Sequence, residues 1–438
     1  MPACGLLCVY TIMEKIIVSG GRPLHGTIEI GGMKNAALGI IMGTLLTEDK
    51  CVIENLPAVN DVEISFQILR NMGVTVTPLG KNTVEIDTTY AEIDTKSPSD
   101  LYRRMRASYY LLGAELGRFG RARVGCPGGC DFGSRPIDQH IKGFEALGAA
   151  ITIDDSYIHA DAGIGLRGNS IFFDVITVGG TMNVMLAAVK AKGTTVIENA
   201  AREPHIVDLA NFLNTCGAKI TGAGTDTIKI KGVDRLHGCT YAIIPDMIEA
   251  GTYMIAAAAT GGNVKISNVI PKHLDSISAK LVEMGVEVDE HDEYIIVSGS
   301  NRRLTHINLK TMPYPGYPTD MQPQICVLLC MADGVSRLSE DIYDSRFRYV
   351  EELRRMGAEI RIAGKTATIT GGKRLHAARV RAVDLRAGAA MVIAALAADG
   401  VTEIEDIHHI ERGYDDIVGK LRLVGADIKK ISVPDTTL

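Results

Sequence analysis

A chain of 438 residues is long enough for two or three domains. Its 46 basic and 52 acidic side chains give a net charge of −6, without the basic footprint that general nucleic-acid binding needs. A content of 46% hydrophobic and 22% charged residues suits a folded, soluble body, and no apolar run reaches the ~18 residues of a membrane span.

Nine cysteines, an odd number with no dense framework, favour free thiols in a reducing, cytoplasmic compartment. Residues 1–12 lean apolar but carry no Lys or Arg and no small-residue cleavage site, so they read as an extension rather than a targeting signal. Organised sequence is expected from Met13.

The stretch Ile28 to Ala37 predicts a strand, a glycine turn and a helix. Gly31 and Gly32 permit close backbone approach, and Lys34 adds a point charge at the helix start. The spacing is that of neither a Walker loop nor a dinucleotide fingerprint.

From there the chain repeats itself. A helical pattern ending in glycine and followed by an alternating strand recurs six times, at Gly73, Gly148, Gly217, Gly285, Gly357 and Gly425, about 70 residues apart. Each glycine fits the left-handed position that ends a helix. A second helix in each unit, rich in Ala and other small residues, predicts a crowded interior. Six units divide as three plus three. The expected fold is α/β, with two pseudo-symmetric domains and a cleft between them.

The loops before the marked helices hold the residues that the repeat does not explain. Basic side chains recur there, as Arg135, Arg202, Lys272, Arg346 and Arg412. Helix starts already favour anions, so arginine at these places is not needed for folding. Converging on one cleft, such residues would make a phosphate or carboxylate site; singly they are surface charges. The segment Cys126 to Pro136 is a glycine loop that presents Cys130 near Arg135, and a neighbouring cation lowers a thiol pKa. Cys126 and Cys130 alone lack the further ligands of a zinc site. Cys326 and Cys330 sit in an apolar run and read as helix core, while Cys51, Cys216 and Cys239 have no supporting context. Pro313 to Gln322 is a proline-stiffened loop ending at Asp320, which could serve as a base or as a helix N-cap.

Taken together, GGMKNAAL, MRAS, PGGCDFGSRPID, NAAREP, YPTDMQ, DLRA and HIERGY resemble, in order, the motifs of the UDP-N-acetylglucosamine 1-carboxyvinyltransferases, a family of enolpyruvyl transferases. The resemblance runs from about Met13 to the C-terminus. It implies two inside-out α/β domains, each of three repeated βαβαββ-like units. The first spans 37–244; the second joins 13–36 to 245–438.

The resemblance also implies an activity: transfer of the enolpyruvyl group of phosphoenolpyruvate to the 3′-hydroxyl of UDP-N-acetylglucosamine, the first committed step of peptidoglycan precursor synthesis. Lys34 and Asn35 match residues near both substrates, and Arg106 a substrate-binding arginine. Cys130 matches the loop cysteine that serves as general acid or in product release, and that the epoxide fosfomycin alkylates. Arg135, Pro136, Ile137, Asp138 and Gln139 match the uridine segment, and Thr177, Val178 and Gly179 the diphosphate loop. Asp320 matches the carboxylate beside the sugar hydroxyl, and Ile342 a backbone contact to the same ligand. Arg346, Arg386 and Arg412 match arginines at the phosphoenolpyruvate end. Lys34 and Arg412 join Cys130 and Asp320 as the catalytic set. Val175 stands where some members carry Lys. The scheme calls for no metal, organic cofactor, nucleic acid or membrane. A shikimate-3-phosphate transferase and a silent sugar-nucleotide sensor are the alternatives, and the PGGC…RPID loop favours the nucleotide sugar over the first.

Overall fold

The structure, a computed structural model, describes residues 12–126, 137–299 and 303–434. All six marker glycines adopt the left-handed conformation, with φ between 83° and 100°. At each, the next N–H reaches back five residues, as Val74 does to the Leu69 carbonyl and Ala426 to that of Leu421, both at 3.1 Å. This closure consumes carbonyls that a helix end leaves unpaired, and it needs a residue without a Cβ penalty at positive φ. The repeat read from the sequence is therefore a repeated helix stop.

Each stop feeds a strand, and the strands form six separate sheets among the described residues, five of four strands and one of three. In one, Lys219–Thr221, Thr227–Lys231 and Thr194–Glu198 are antiparallel neighbours, and Ser170–Phe172 runs parallel to Thr194–Glu198. The same order recurs around Asn263–Ser267 and Val335–Ser339. Three sheets borrow a strand from distant sequence: among them, His25–Glu29 pairs with Asn263–Ser267, and Thr240–Ala242 with Lys50–Glu54. Ile12–Ser19 lies between Val401–Glu405 and Asp427–Pro434. Three sheets thus draw only on residues 50–242, and three on residues 12–29 and 263–434.

Helices occupy the interior. Val178–Ala188 buries all but its first residue, and Met247–Thr260 and Leu385–Ala397 all but their last. Rich in Ala, Gly and Met, they have no polar stripe and can be covered on every side. The sheets lie outside, with alternation to match: Ile228 and Ile230 point inward while Thr227, Lys229 and Lys231 face water. This is the inside-out α/β arrangement expected. Cys326 and Cys330 are core residues of the helix Gln322–Met331.

Three strands, Lys50–Glu54, Thr194–Glu198 and Asn263–Ser267, are each followed by an asparagine at φ of 55° to 56°, Asn55, Asn199 and Asn268. Their side-chain amides donate to the Ile243, Phe173 and Ile30 carbonyls at 2.8, 2.8 and 2.6 Å. Asparagine tolerates this conformation while bonding locally. The turn launches the loops that the sequence marks for chemistry. No helix among the described residues is long and apolar enough to cross a membrane.

Candidate active site

Lys34 opens the helix Lys34–Gly43, and its backbone N–H donates to Asp246 Oδ2 at 3.3 Å. Asp246 in turn caps Met247–Thr260 by accepting from Ile248 and Glu249. One carboxylate so ties two helix starts together. Gly32 is obligatory here: a Cβ would lie 1.7 Å from the Asn55 carbonyl oxygen. The buried Lys34 ammonium meets Asp61 Oδ2 at 2.7 Å. Arg412 approaches the same carboxylate from the far end of the chain, Nε to Oδ1 at 3.1 Å and Nη2 to Oδ2 at 3.3 Å. Burial lowers the Lys34 pKa; Asp61 opposes the shift, and the charges of Arg386 and Arg412 reinforce it. An anionic ligand at this crowded cationic group relieves repulsion the folded chain already carries.

Asp320 lies in the short helix Thr319–Met321, and the helix Gln322–Met331 that follows has Met321 at its N-cap and no side-chain cap, so the N-cap alternative fails. Arg386 donates to Asp320 Oδ2 through Nε at 3.1 Å, and its Nη2 stands 3.0 Å from the same oxygen. Arg346 donates through Nη2 to Asp320 Oδ1 at 3.4 Å and to the Thr319 carbonyl at 3.2 Å. Burial would raise the Asp320 pKa, but Arg386 and Arg346 outweigh it and hold it at about 2. So held, Asp320 is a weak base, and it gains basicity only as the guanidiniums turn toward another anion. Arg386 is itself almost fully buried, and its Nη1 has no hydrogen-bond partner among the described residues.

A third group surrounds Arg106. Its guanidinium stands 5.6 Å from the Tyr109 ring centre, and Tyr109 packs edge-on to His140 at 4.8 Å. Asn183 fixes both, donating to the Tyr109 carbonyl at 2.8 Å and bonding His140 Nδ1 at 3.0 Å. Burial and the Arg106 charge push His140 down to about 3, so the ring is neutral. Gly179 presses against this pair: a Cβ there would come 2.6 Å from Tyr109 Oη and 2.9 Å from His140 Cε1. Thr177 caps the helix Val178–Ala188 by accepting from the Gly180 N–H at 3.2 Å. The first-turn N–H groups of Val178 and Gly179 have no intrahelical acceptor, which suits phosphate oxygens. Gln139 and Asp174 bond reciprocally, at 3.1 and 3.0 Å, and Gln139 also donates to Asp138. The exposed Val175 offers no charge here.

The remaining expectations divide. Cys130, Arg135 and Pro136 lie outside the described residues. Ile137 precedes the helix Asp138–Ala146, and Asn35 is half-buried beside Lys34. The Ile342 N–H donates to Glu340 Oε1 at 2.9 Å, so an external ligand would have to compete for it. The recurring basic residues do not all converge. Arg346 and Arg412 join the cluster; exposed Lys272 pairs with Asp275, and Arg202 with exposed Asp226. Those two are surface charges. Asp61 was not anticipated; it lies in the first turn of the helix Asn60–Asn71, where an acidic side chain normally signals only dipole compensation. His205, buried and lowered to about 4 by that burial against the pull of Asp320, was also missed.

The sequence profile of the family described as EPSP synthase (3-phosphoshikimate 1-carboxyvinyltransferase) matches residues 18–421. The chain is 55% identical to UDP-N-acetylglucosamine 1-carboxyvinyltransferase 3 of Caldanaerobacter subterraneus subsp. tengcongensis, over 96% of this chain and 100% of the relative. It is 53% identical to the UDP-N-acetylglucosamine 1-carboxyvinyltransferase of Clostridium botulinum, over 96% and 100%. Among solved structures, the enolpyruvyl transferase NikO from Streptomyces tendae superposes with a TM-score of 0.86 at 25% identity, covering 97% of this chain and 100% of that one. EPSP synthase from Acinetobacter baumannii shares the fold, with a TM-score of 0.74 at 18% identity over 96% of this chain and 100% of that one. With the inside-out fold and the cluster of buried cations, these likenesses establish that the chain belongs to the enolpyruvyl transferase family typified by EPSP synthase.

Proposed function

We propose that the chain transfers the enolpyruvyl group of phosphoenolpyruvate to the 3′-hydroxyl of UDP-N-acetylglucosamine, releasing inorganic phosphate, in the cytoplasm, as the first committed step of peptidoglycan precursor synthesis. The observation that carries the reading is the 53% to 55% identity, over 96% of this chain, to relatives named for that reaction. The grouping of Lys34, Arg346, Arg386 and Arg412 around two carboxylates supports it, because a trianionic substrate needs such compensation in a water-poor site.

The chemistry is addition followed by elimination. The sugar hydroxyl oxygen bonds to C2 of phosphoenolpyruvate, its proton passes to Asp320, and C3 gains a proton from Cys130. The resulting ketal phosphate then loses a proton from C3 to the thiolate that the first step leaves at Cys130, and loses inorganic phosphate from C2, which restores the double bond. Proton donation and acceptance contribute about 10²–10⁴-fold each. Lys34, Arg346, Arg386 and Arg412 hold the phosphate and carboxylate of phosphoenolpyruvate. Arg106, Arg135, Pro136, Ile137, Asp138, Gln139, Thr177, Val178 and Gly179 line the nucleotide, and Asn35 and Ile342 complete the sugar contacts. Residues 37–244 form one domain, 13–36 with 245–438 the other, and their closure excludes water. The sheet membership described above supports that division.

The test is phosphate release by the purified chain with each substrate alone and with both. Release only with both, lost in Cys130→Ser and after fosfomycin treatment that adds one covalent mass to Cys130, is the expected result. Turnover of shikimate 3-phosphate but not of the nucleotide sugar would overturn the substrate assignment. Nucleotide binding without turnover would make the chain a sensor.

A further inference from the structure

Three cysteines without a role in the proposed reaction are brought together by the fold. Cys51 lies on the strand Lys50–Glu54, Cys216 caps the end of Pro204–Thr215, and Cys239 immediately precedes the strand Thr240–Ala242. Their sulfurs all lie within 4.8 Å of one another, and those of Cys216 and Cys239 are 3.4 Å apart. Cys51 and Cys216 are fully buried, while half-buried Cys239 leaves a way in. Thiolates bound to one ion at the usual Zn–S length of about 2.3 Å stand roughly 3.8 Å apart, so small side-chain rotations bring these three into a coordinating triangle.

We propose that Cys51, Cys216 and Cys239 form a binding site for a thiophilic divalent cation of the zinc class. Binding exchanges thiol protons for metal–sulfur bonds and involves no oxidation or reduction. The site stands apart from the reaction: Cys51 and Cys239 lie at the beginnings of two parallel strands, whereas Asp61 and Asp246 follow their ends. A bound ion clamps the borrowed strand Thr240–Ala242 and the helix Pro204–Thr215 to Lys50–Glu54, so it acts on stability rather than on catalysis.

The reduced full-length chain is titrated with Zn²⁺ alone against a chromophoric chelator, and with Cd²⁺ to read thiolate charge-transfer absorption. The wild type takes up one tight equivalent. The variant Cys51→Ala/Cys216→Ala/Cys239→Ala, which keeps every other cysteine including Cys130, takes up none. If that variant does not fold, Cys239→Ser at the rim serves instead and weakens uptake by at least about 100-fold, since loss of an outer-shell partner alone costs roughly 10–100-fold. Zn²⁺ at about 100 times its dissociation constant raises the wild-type thermal midpoint by roughly 5 °C and leaves the triple variant unmoved. Equal uptake by wild type and variants overturns the proposal. So does a Cys216–Cys239 disulfide whose reduction brings no metal uptake.

Discussion

Asp61 and Arg412, 351 positions apart, face each other through two contacts, Nε to Oδ1 at 3.1 Å and Nη2 to Oδ2 at 3.3 Å. The carboxylate begins a helix in the part of the chain that builds one trio of sheets, and the guanidinium follows a strand of the other trio. Lys34 completes the group on Asp61 Oδ2. This bridge spans the two trios and uses a cation proposed above to hold the substrate. An incoming phosphate would compete with Asp61 for the same positive charges.

Replacing Asp61 by Asn should therefore do two things. It leaves buried Lys34 and partly buried Arg412 without their counter-charge, and breaking a buried pair costs about 3–5 kcal/mol. It also frees both cations for any anion in solution. Denaturant unfolding should show the loss, and added inorganic phosphate should restore stability more strongly in Asp61→Asn than in wild type. A variant as stable as wild type, with an unchanged phosphate response, would show that the bridge carries no energy.

The repeat was legible in the sequence because a helix that stops on a left-handed residue needs glycine, and the need recurs at Gly73, Gly148, Gly217, Gly285, Gly357 and Gly425. Lys34, Asp320 and Arg346, which the structure brings into ion-pair clusters, stand out in the sequence as candidates because each sits in a loop or at a helix start, Asp320 with an equally good N-cap reading. Asp61 was not legible, since an acidic residue in a first helical turn has a sufficient structural reason to be there. The three thiols were invisible for another reason: Cys51 and Cys239 become neighbours only through the pairing of Val52 with Thr240, a strand borrowed across the whole first trio of sheets.

Asp320→Asn tests the second carboxylate. Arg386 and Arg346 lose an ionised acceptor, and the sugar hydroxyl loses its proposed base, so phosphate release should fall about 10²–10⁴-fold. Stability carries a separate signature. Asp320 has a folded pKa of about 2 against an ordinary 3.8, so its stabilising contribution is full above pH 3.8 and disappears as pH falls toward 2. Acid unfolding should be less steep in Asp320→Asn than in wild type across that window. Parallel profiles would mean that the arginines do not hold the carboxylate ionised.

Gly179→Ala probes the packing behind the helix start at Thr177. The added methyl has no room beside Tyr109 Oη and His140 Cε1, at 2.6 and 2.9 Å, so either the ring pair or the helix terminus must move. Such overpacking costs about 1–3 kcal/mol. If the terminus holds the diphosphate, the KM for the nucleotide sugar should rise at least tenfold, while that for phosphoenolpyruvate stays within about twofold. An equal rise in both would place the damage in the general fold.

Glu115 offers a test of the interior that is independent of catalysis. It is fully buried on the helix Tyr110–Phe119, where Oε2 accepts from the Arg123 N–H at 2.9 Å. Burial pushes its pKa to about 8, with nearby Asp94 adding to the shift. The unfolded chain loses this proton near the ordinary 4.5, while the folded chain keeps it. Stability must then decline as pH rises from 4.5 to 8, by roughly 3–5 kcal/mol for a shift of this size. Glu115→Gln retains the acceptor for Arg123 and removes the proton, so its thermal midpoint should fall less than that of wild type between pH 5 and pH 8. Identical pH profiles for the two proteins would mean that Glu115 titrates normally and that water reaches it.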